Sequence, residues 1–141
     1  MQALTRTIKL RWNEVFRPVN SCRKRYRILK GSAGSGKSFN VAQDYIKKLS
    51  DERYRGANLL VVRKVDESNR DSTFAELQSA IYRMFGELAD KVWRINMNPL
   101  SMECRLTGNR IIFRGMKDAA QREKVKSITF KTGKLTWIWC E

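Results

Sequence analysis

The chain has no histidine, only three cysteines and no apolar run longer than a few residues. Without histidine no imidazole can act as general base, no Ser-His-Asp triad can form, and ordinary zinc sites are out of reach. Cys22, Cys104 and Cys140 are odd in number, far apart and without a C-x-x-C pair. They read as reduced, partly buried thiols rather than a disulfide framework. No segment is long enough for a transmembrane helix, and Met1–Arg6 carries no apolar run of signal-peptide type, so the expected location is the cytoplasm. Acids are also scarce, with 14 Asp and Glu against 29 Lys and Arg, a net charge of +15. An excess of that size points to a polyanionic partner. No strongly amphipathic basic helix stands out, which favours nucleic acid over a membrane surface. The bland alternative is a solubilising surface.

What is present is enough for one folded domain: 141 residues, 42% of them hydrophobic, with four tryptophans. The most informative stretch is Gly31-Ser32-Ala33-Gly34-Ser35-Gly36-Lys37-Ser38, which matches the phosphate-loop pattern G-x-x-x-x-G-K-[ST] at every position. Its glycines let successive backbone N–H groups turn inward onto a polyphosphate. Lys37 is the expected ligand of the β- and γ-phosphates, and the Ser38 hydroxyl the expected ligand of Mg²⁺. The flanks suit that reading. Tyr26-Arg27-Ile28-Leu29 reads as a strand, and Phe39, Ala42, Tyr45, Ile46 and Leu49 recur at helical spacing from Lys37 onward. Strand, loop and helix in that order is the context the loop requires.

Residues 1–25 read as a basic arm and 26–141 as the nucleotide-binding domain. Nine Lys or Arg lie within 6–30 against the single acid Glu14, interleaved with Trp12, Phe16 and Tyr26. Such an arm could contact nucleic acid, flank a nucleotide base, or be a solvated lead-in anchored by its aromatics. Asn58–Val62 predicts a parallel strand buried on both faces. Phe74, Leu77, Ala80, Ile81, Met84, Phe85 and Leu88 predict a helix, with Ser68 or Asp71 as its cap. The period then changes to two. Trp93-Ile95-Met97 and Met102-Cys104-Leu106 alternate with polar residues around an Asn98–Ser101 turn. Gly108-Asn109 reads as a tight II′-type turn into Arg110–Phe113, completing a three-stranded meander at one edge of the parallel sheet. Arg114–Ile128 reads as loop and short helix. The expected fold is therefore α/β, a mainly parallel sheet flanked by helices with an added antiparallel meander.

A phosphate loop needs a second element, an apolar strand ending in an acid that holds Mg²⁺ directly or through water. Leu135–Cys140 followed by Glu141 has that form, although many buried strands end in a charge. Glutamate is one methylene longer than the usual aspartate, and its reach to the metal differs. Together the two elements suggest a phosphate-loop NTPase of the strand-catalytic-Glu type binding ATP and Mg²⁺. Hydrolysing members of that class carry a further Glu directly afterwards, which would be residue 142.

The ordered set Gly31–Ser38, Leu60-Val61-Val62-Arg63-Lys64, Asp71-Ser72 with Phe74, Ile112-Phe113-Arg114-Gly115-Met116, Lys124, Lys126-Ser127-Ile128 and Trp137–Glu141 resembles the large terminase subunits of tailed bacteriophages, PBSX-type. The resemblance runs from about residue 26 to Glu141. It implies an amino-terminal ATPase domain, the front of a longer protein with a nuclease domain beyond it. It also implies a motor that pumps double-stranded DNA into a procapsid in the bacterial host cytoplasm. The implied partners are that DNA, a portal protein and a small terminase subunit, with a homo-oligomeric ring when assembled. Carried onto this chain, Gly31 to Ser38 form the nucleotide loop and Lys37 and Glu141 are the catalytic pair. Ser38 and Glu141 form the metal shell. Arg63 is a candidate for a phosphate or neighbouring-subunit contact, or simply pairs with Asp66 or Glu67. Arg114 faces DNA or merely solvent. Three other readings stay open: a helicase- or recombinase-like DNA-dependent ATPase, a nucleotide- and DNA-binding fragment without catalysis, and, weakest, a small-molecule phosphotransferase.

Overall fold

The computed structural model describes residues 8–64 and 72–141. Ser68 and Asp71, expected as caps, lie outside the described residues, as do Asp66 and Glu67, the acids considered as partners for Arg63.

After an extended lead and a short helix α1 (Arg17–Asn20), the main elements run in order. They are α2 (Lys37–Leu49), β1 (Ala57–Arg63), α3 (Thr73–Phe85), α4 (Ala89–Val92), β2 (Trp93–Met97), β3 (Leu100–Cys104), β4 (Arg110–Gly115), α5 (Ala119–Lys126) and β5 (Lys134–Cys140). The five strands form one sheet in the order β2-β3-β4-β1-β5. β1 pairs in parallel with β4 on one side and β5 on the other, whereas β2-β3 and β3-β4 are antiparallel. The protein is thus a mixed α/β fold in which a meander continues a short parallel sheet, and β4 belongs to both.

Registers explain the core. Leu59 lies opposite Ile111 and Trp137, and Val61 opposite Phe113 and Trp139, so these side chains share one face. That face meets the apolar stripes of α2 (Ala42, Tyr45, Ile46, Leu49) and α3 (Phe74, Leu77, Ala80, Ile81, Met84), all buried together. A period of two on the strands thus meets a period near 3.6 on the helices. Phe74 and Phe113 pack edge to face at 5.2 Å, which fixes α3 over β4.

Two local expectations change. Tyr26–Leu29 is not a strand. Its apolar residues Tyr26 and Ile28 are 76% and 90% exposed. Arg27 instead turns inward, 4.0 Å from Asp44 of α2 and 3.4 Å from the Val19 carbonyl it donates to. The segment is held by that side chain and joins no described ladder, and a strand without a ladder partner has nowhere to place its N–H and C=O groups except water.

The Gly108-Asn109 connection is also longer than a II′ turn. β3 ends at Cys104, and residues 105–109 form a wider loop closed by Gly108 N–H to Cys104 O (2.8 Å) and Cys104 N–H to Asn109 O (2.8 Å). Two side chains decide this. The Thr107 hydroxyl donates to Leu49 O (2.7 Å), and the Asn109 amide donates to Leu49 O (3.0 Å) and Tyr54 O (2.9 Å) while accepting from Gly56 N–H (2.8 Å). The loop is a staple on the carboxyl end of α2, where carbonyls would otherwise lack partners.

β5, the apolar strand expected before Glu141, forms the outer edge of the described sheet, and Ile138 is 52% exposed. Trp137 and Trp139 nevertheless pack on Tyr45 at 5.9 and 6.4 Å, and Trp137 meets Tyr54 at 5.5 Å. One face of β5 is clamped by aromatics and the other is open.

Candidate nucleotide and metal site

The parallel strands β4, β1 and β5 all end at the same side of the sheet, and Arg114, Arg63 and Glu141 lie at or next to those ends. Glu141 continues the ladder, its N–H donating to Val62 O at 3.1 Å, so its backbone is fixed although it follows the last strand residue.

The loop 31–38 reaches the same place from α2. Gly34 and Gly36 take left-handed φ values of 75° and 83°, which the turn requires and which residues with a Cβ adopt at a cost. A Cβ at Gly31 would lie 3.1 Å from the Ser35 hydroxyl, so the ring closes tightly there. Ser32 and Ala33 form the exposed tip. α2 starts at Lys37 with Gly36 as its cap residue and no side chain bonding its first turn, and the first helical bond is Asn40 N–H to Gly36 O at 2.9 Å. The opening N–H groups of α2 therefore remain available to an anion, with the positive end of the helix dipole behind them. Lys37 folds back across the ring, its ammonium donating to Gly31 O (2.7 Å), Ser32 O (2.9 Å) and the Ser35 hydroxyl (2.9 Å).

The decisive contact joins the two halves. The Ser38 hydroxyl donates to Glu141 Oε1 at 2.8 Å, across 103 positions of sequence. The second carboxylate oxygen, Oε2, accepts from the Ser72 hydroxyl at 3.1 Å. Ser72 immediately precedes α3 and occupies its cap position, yet makes no capping bond. The sequence suggests Ser68 or Asp71 as the cap here, and it gives Ser72 no role in the site. The only signal was a serine at the start of a helix, which normally means capping.

A cleft of about 280 Å³ opens beside this contact, lined by Ser38, Ser72, Glu76, Ser79 and Glu141. A larger cavity, about 400 Å³, lies along the other half of α2 between Trp12, Arg17, Asp44, Lys47 and Tyr54. It includes none of residues 31–38 and not Glu141, so size does not mark the chemistry here. Its floor is a charged group, Asp44, paired with Lys48 at 2.7 Å. Beside Asp44, burial raises the Tyr45 phenol above its ordinary value, against the opposing pull of Arg27.

The arm packs over α2 and α3. Lys9 N–H donates to Met84 O (3.3 Å), and Arg11 exchanges bonds with the buried Gln43 amide at 2.9 and 2.7 Å. Asn20 and Asn40 pair reciprocally at 2.9 and 2.8 Å. Phe16 reaches the loop 31–38 itself, one ring carbon lying 3.6 Å from where a Cβ on Gly36 would be. Arg83 of α3 stacks on Phe39, the residue after Ser38, at 3.8 Å, and burial lowers its pKa from the ordinary arginine value.

Arg63 and Arg114 are at the loop side of the sheet, on adjacent strands. Arg114 donates to Phe113 O at 2.8 Å, and the Arg63 carbonyl accepts from Met116 N–H at 3.0 Å.

A metal between Ser38 and Glu141 would meet oxygen donors only, which suits a hard divalent cation. Among the described residues no cluster of three or more His, Cys, Asp or Glu could form an all-protein cage. One carboxylate and one hydroxyl, completed by phosphate oxygens and water, is how Mg²⁺ is usually held, so the residues present fit it.

A glycine loop at a helix start, facing a carboxylate at the end of a parallel strand, is the corner this mixed α/β protein builds at the ends of its parallel strands. Comparison with known proteins places it further. The sequence model of the family described as "Phage terminase large subunit" matches residues 23–141. The chain is 32% identical over 129 residues to "Terminase, large subunit" of Bacillus phage SPP1, covering 91% of this chain and 28% of that protein. It is 34% identical over 113 residues to "PBSX phage terminase large subunit" of Bacillus subtilis (strain 168), covering 80% of this chain and 23% of that protein. The chain belongs to the phage terminase large subunit family. It spans about a quarter of the length of these relatives.

Proposed function

We propose that this chain is the ATP-binding part of a terminase large subunit, a phosphate-loop ATPase that in the whole protein couples ATP hydrolysis to movement of double-stranded DNA. The observation that carries the proposal is the 2.8 Å bond between Ser38 and Glu141. Two motifs recognised separately, and 103 positions apart, meet at bonding distance where the first would present a nucleotide and the second a metal ligand.

In this reading the N–H groups of Gly34 to Ser38 and the start of α2 bind the polyphosphate. Lys37 exchanges its contacts to the loop carbonyls for phosphate oxygens and neutralises them. Ser38 and Glu141 hold Mg²⁺, which supplies charge neutralisation on the phosphates when bound. Phe16, resting against Gly36, stands where a base or ribose would approach the loop. Arg63 and Arg114 are the candidates for contacts to phosphate, DNA or a neighbouring subunit from the ends of β1 and β4.

The net charge of +15 supports a polyanionic partner bound through its phosphates without reading of sequence, as a translocating motor needs. No described helix is long and apolar enough to cross a membrane. A portal protein, a small terminase subunit, a ring of copies and the host cytoplasm complete the proposal for the whole protein.

The test is nucleotide binding. A fluorescent ATP analogue should bind the chain with Mg²⁺, and Lys37→Ala should lower its affinity by about a hundredfold, as expected for removing a charge-assisted phosphate contact worth roughly 3 kcal/mol. Equal binding by both proteins would refute the assignment of the loop.

A further inference from the structure

Among the described residues, Glu141 is the carboxylate that bonds the loop, through Ser38, and it is a long one. Glutamate has one more rotatable bond than aspartate, so a free carboxylate at this position would sweep several rotamers and present either oxygen, or neither, to a metal. The structure removes that freedom at both ends. The Glu141 backbone is tied to Val62 O, Oε1 is fixed by Ser38, and Oε2 is fixed by Ser72 at 3.1 Å. Ser72 makes this bond instead of capping α3, although capping is the ordinary use of a serine at that position.

We infer that Ser72 is a positioning residue for the divalent cation: it holds the far oxygen of Glu141 so that the near oxygen stays beside Ser38 for the metal. The inference rests on the nucleotide and Mg²⁺ reading of the loop. The physics is that of an outer partner on a metal-ligating carboxylate, whose hydrogen bond orients the ligand and leaves the coordinating lone pair to the metal. The arrangement also adds a mechanical link. Because Ser72 opens α3, and α3 packs on the sheet through Phe74 and Phe113, any shift of the Glu141 carboxylate toward a cation is felt at the start of that helix.

The experiment is a titration of the 141-residue chain with a fluorescent ATP analogue, in EDTA and over a series of Mg²⁺ concentrations, for the wild type, Ser72→Ala, Ser72→Gly and Ser72→Thr. Both variants without the hydroxyl should need about tenfold more Mg²⁺ to reach half of the metal-dependent gain in affinity, the usual size of an outer-partner effect. Their affinity in EDTA should stay at the wild-type value. Ser72→Thr, which keeps the hydroxyl, should restore the wild-type Mg²⁺ midpoint. An unchanged midpoint in Ser72→Ala and Ser72→Gly would overturn the inference. So would an equal loss with and without Mg²⁺, or a Thr variant as impaired as the Ala variant. A wild type whose nucleotide binding ignores Mg²⁺, or survives Lys37→Ala, would instead strike down the underlying reading and the inference with it.

Discussion

Replacing Asn109 with alanine should destabilise the fold by about 2–3 kcal/mol, because two backbone groups then lose their partners at roughly 1–1.5 kcal/mol each. The Asn109 amide serves three backbone groups: it donates to Leu49 O and Tyr54 O and accepts from Gly56 N–H. Leu49 O is not orphaned by the change, since the Thr107 hydroxyl also donates to it at 2.7 Å. Tyr54 O and Gly56 N–H are the two that do lose out, and partial burial keeps the cost at the lower end of the range for unsatisfied groups. For a chain of this length the loss corresponds to a melting-temperature drop of about 6–12 °C. Thr107→Val removes the bond to Leu49 O, which Asn109 backs up, and also strips the Asn109 N–H of the Thr107 oxygen it donates to at 3.2 Å, so it should cost about 2 kcal/mol. The double variant exposes the shared acceptor. With both gone, Leu49 O at the end of α2 is bare, and the pair should cost about 1 kcal/mol more than the sum of the singles. Thermal or urea melts of the four proteins complete the cycle. Additivity within about 0.5 kcal/mol would refute the claim that the two side chains share one acceptor.

Gly133 combines a left-handed φ of 76° with a backbone approach so close that an added Cβ would lie 2.0 Å from Gly56 O. Gly133→Ala should therefore cost several kcal/mol, of which left-handed strain alone is about 1–2 kcal/mol, and a melt within a degree or two of wild type would contradict that packing. Glu141→Gln keeps the shape and the ability to bond both Ser38 and Ser72 while removing the charge. Its melting temperature without ligand should match the wild type, and its Mg²⁺-dependent gain in nucleotide affinity should fall by about tenfold or more; a retained gain would mean the metal is held elsewhere.

Where the sequence was legible, a local rule and the tertiary demand agreed. Lys37 does begin α2, because glycine at the cap position and helical spacing from Ala42 to Leu49 ask for the same structure. Asn58–Val61 is buried on both faces, as its apolar run required, and burial eases at Val62 near the strand's end. The meander was visible in the alternation of 93–106, and β5 in the apolar run before Glu141. The failures share one cause, a side chain with a distant partner. Tyr26–Leu29 has strand composition, but Arg27 is captured by Asp44, and the apolar residues on either side of it face out. Gly108-Asn109 has hairpin composition, but Thr107 and Asn109 are drawn to the end of α2 more than fifty residues away. Ser72 has cap composition and bonds a carboxylate 69 positions on. Periodicity reports what a residue offers its neighbours, and these three are spent on residues that no window of sequence contains.

The outer edge of β5 has a consequence for the behaviour of the chain in solution. Among the described residues nothing pairs with that edge, and Ile138 stands half exposed on it, so two copies meeting there could zip their ladders together. What holds them apart is repulsion between two bodies of charge +15, which acts over about 10 Å at 0.1 M salt and only about 3 Å at 1 M. Salt therefore lowers the barrier to self-association at that edge. The ionic strength that best screens the charge is also the one at which this edge is least protected.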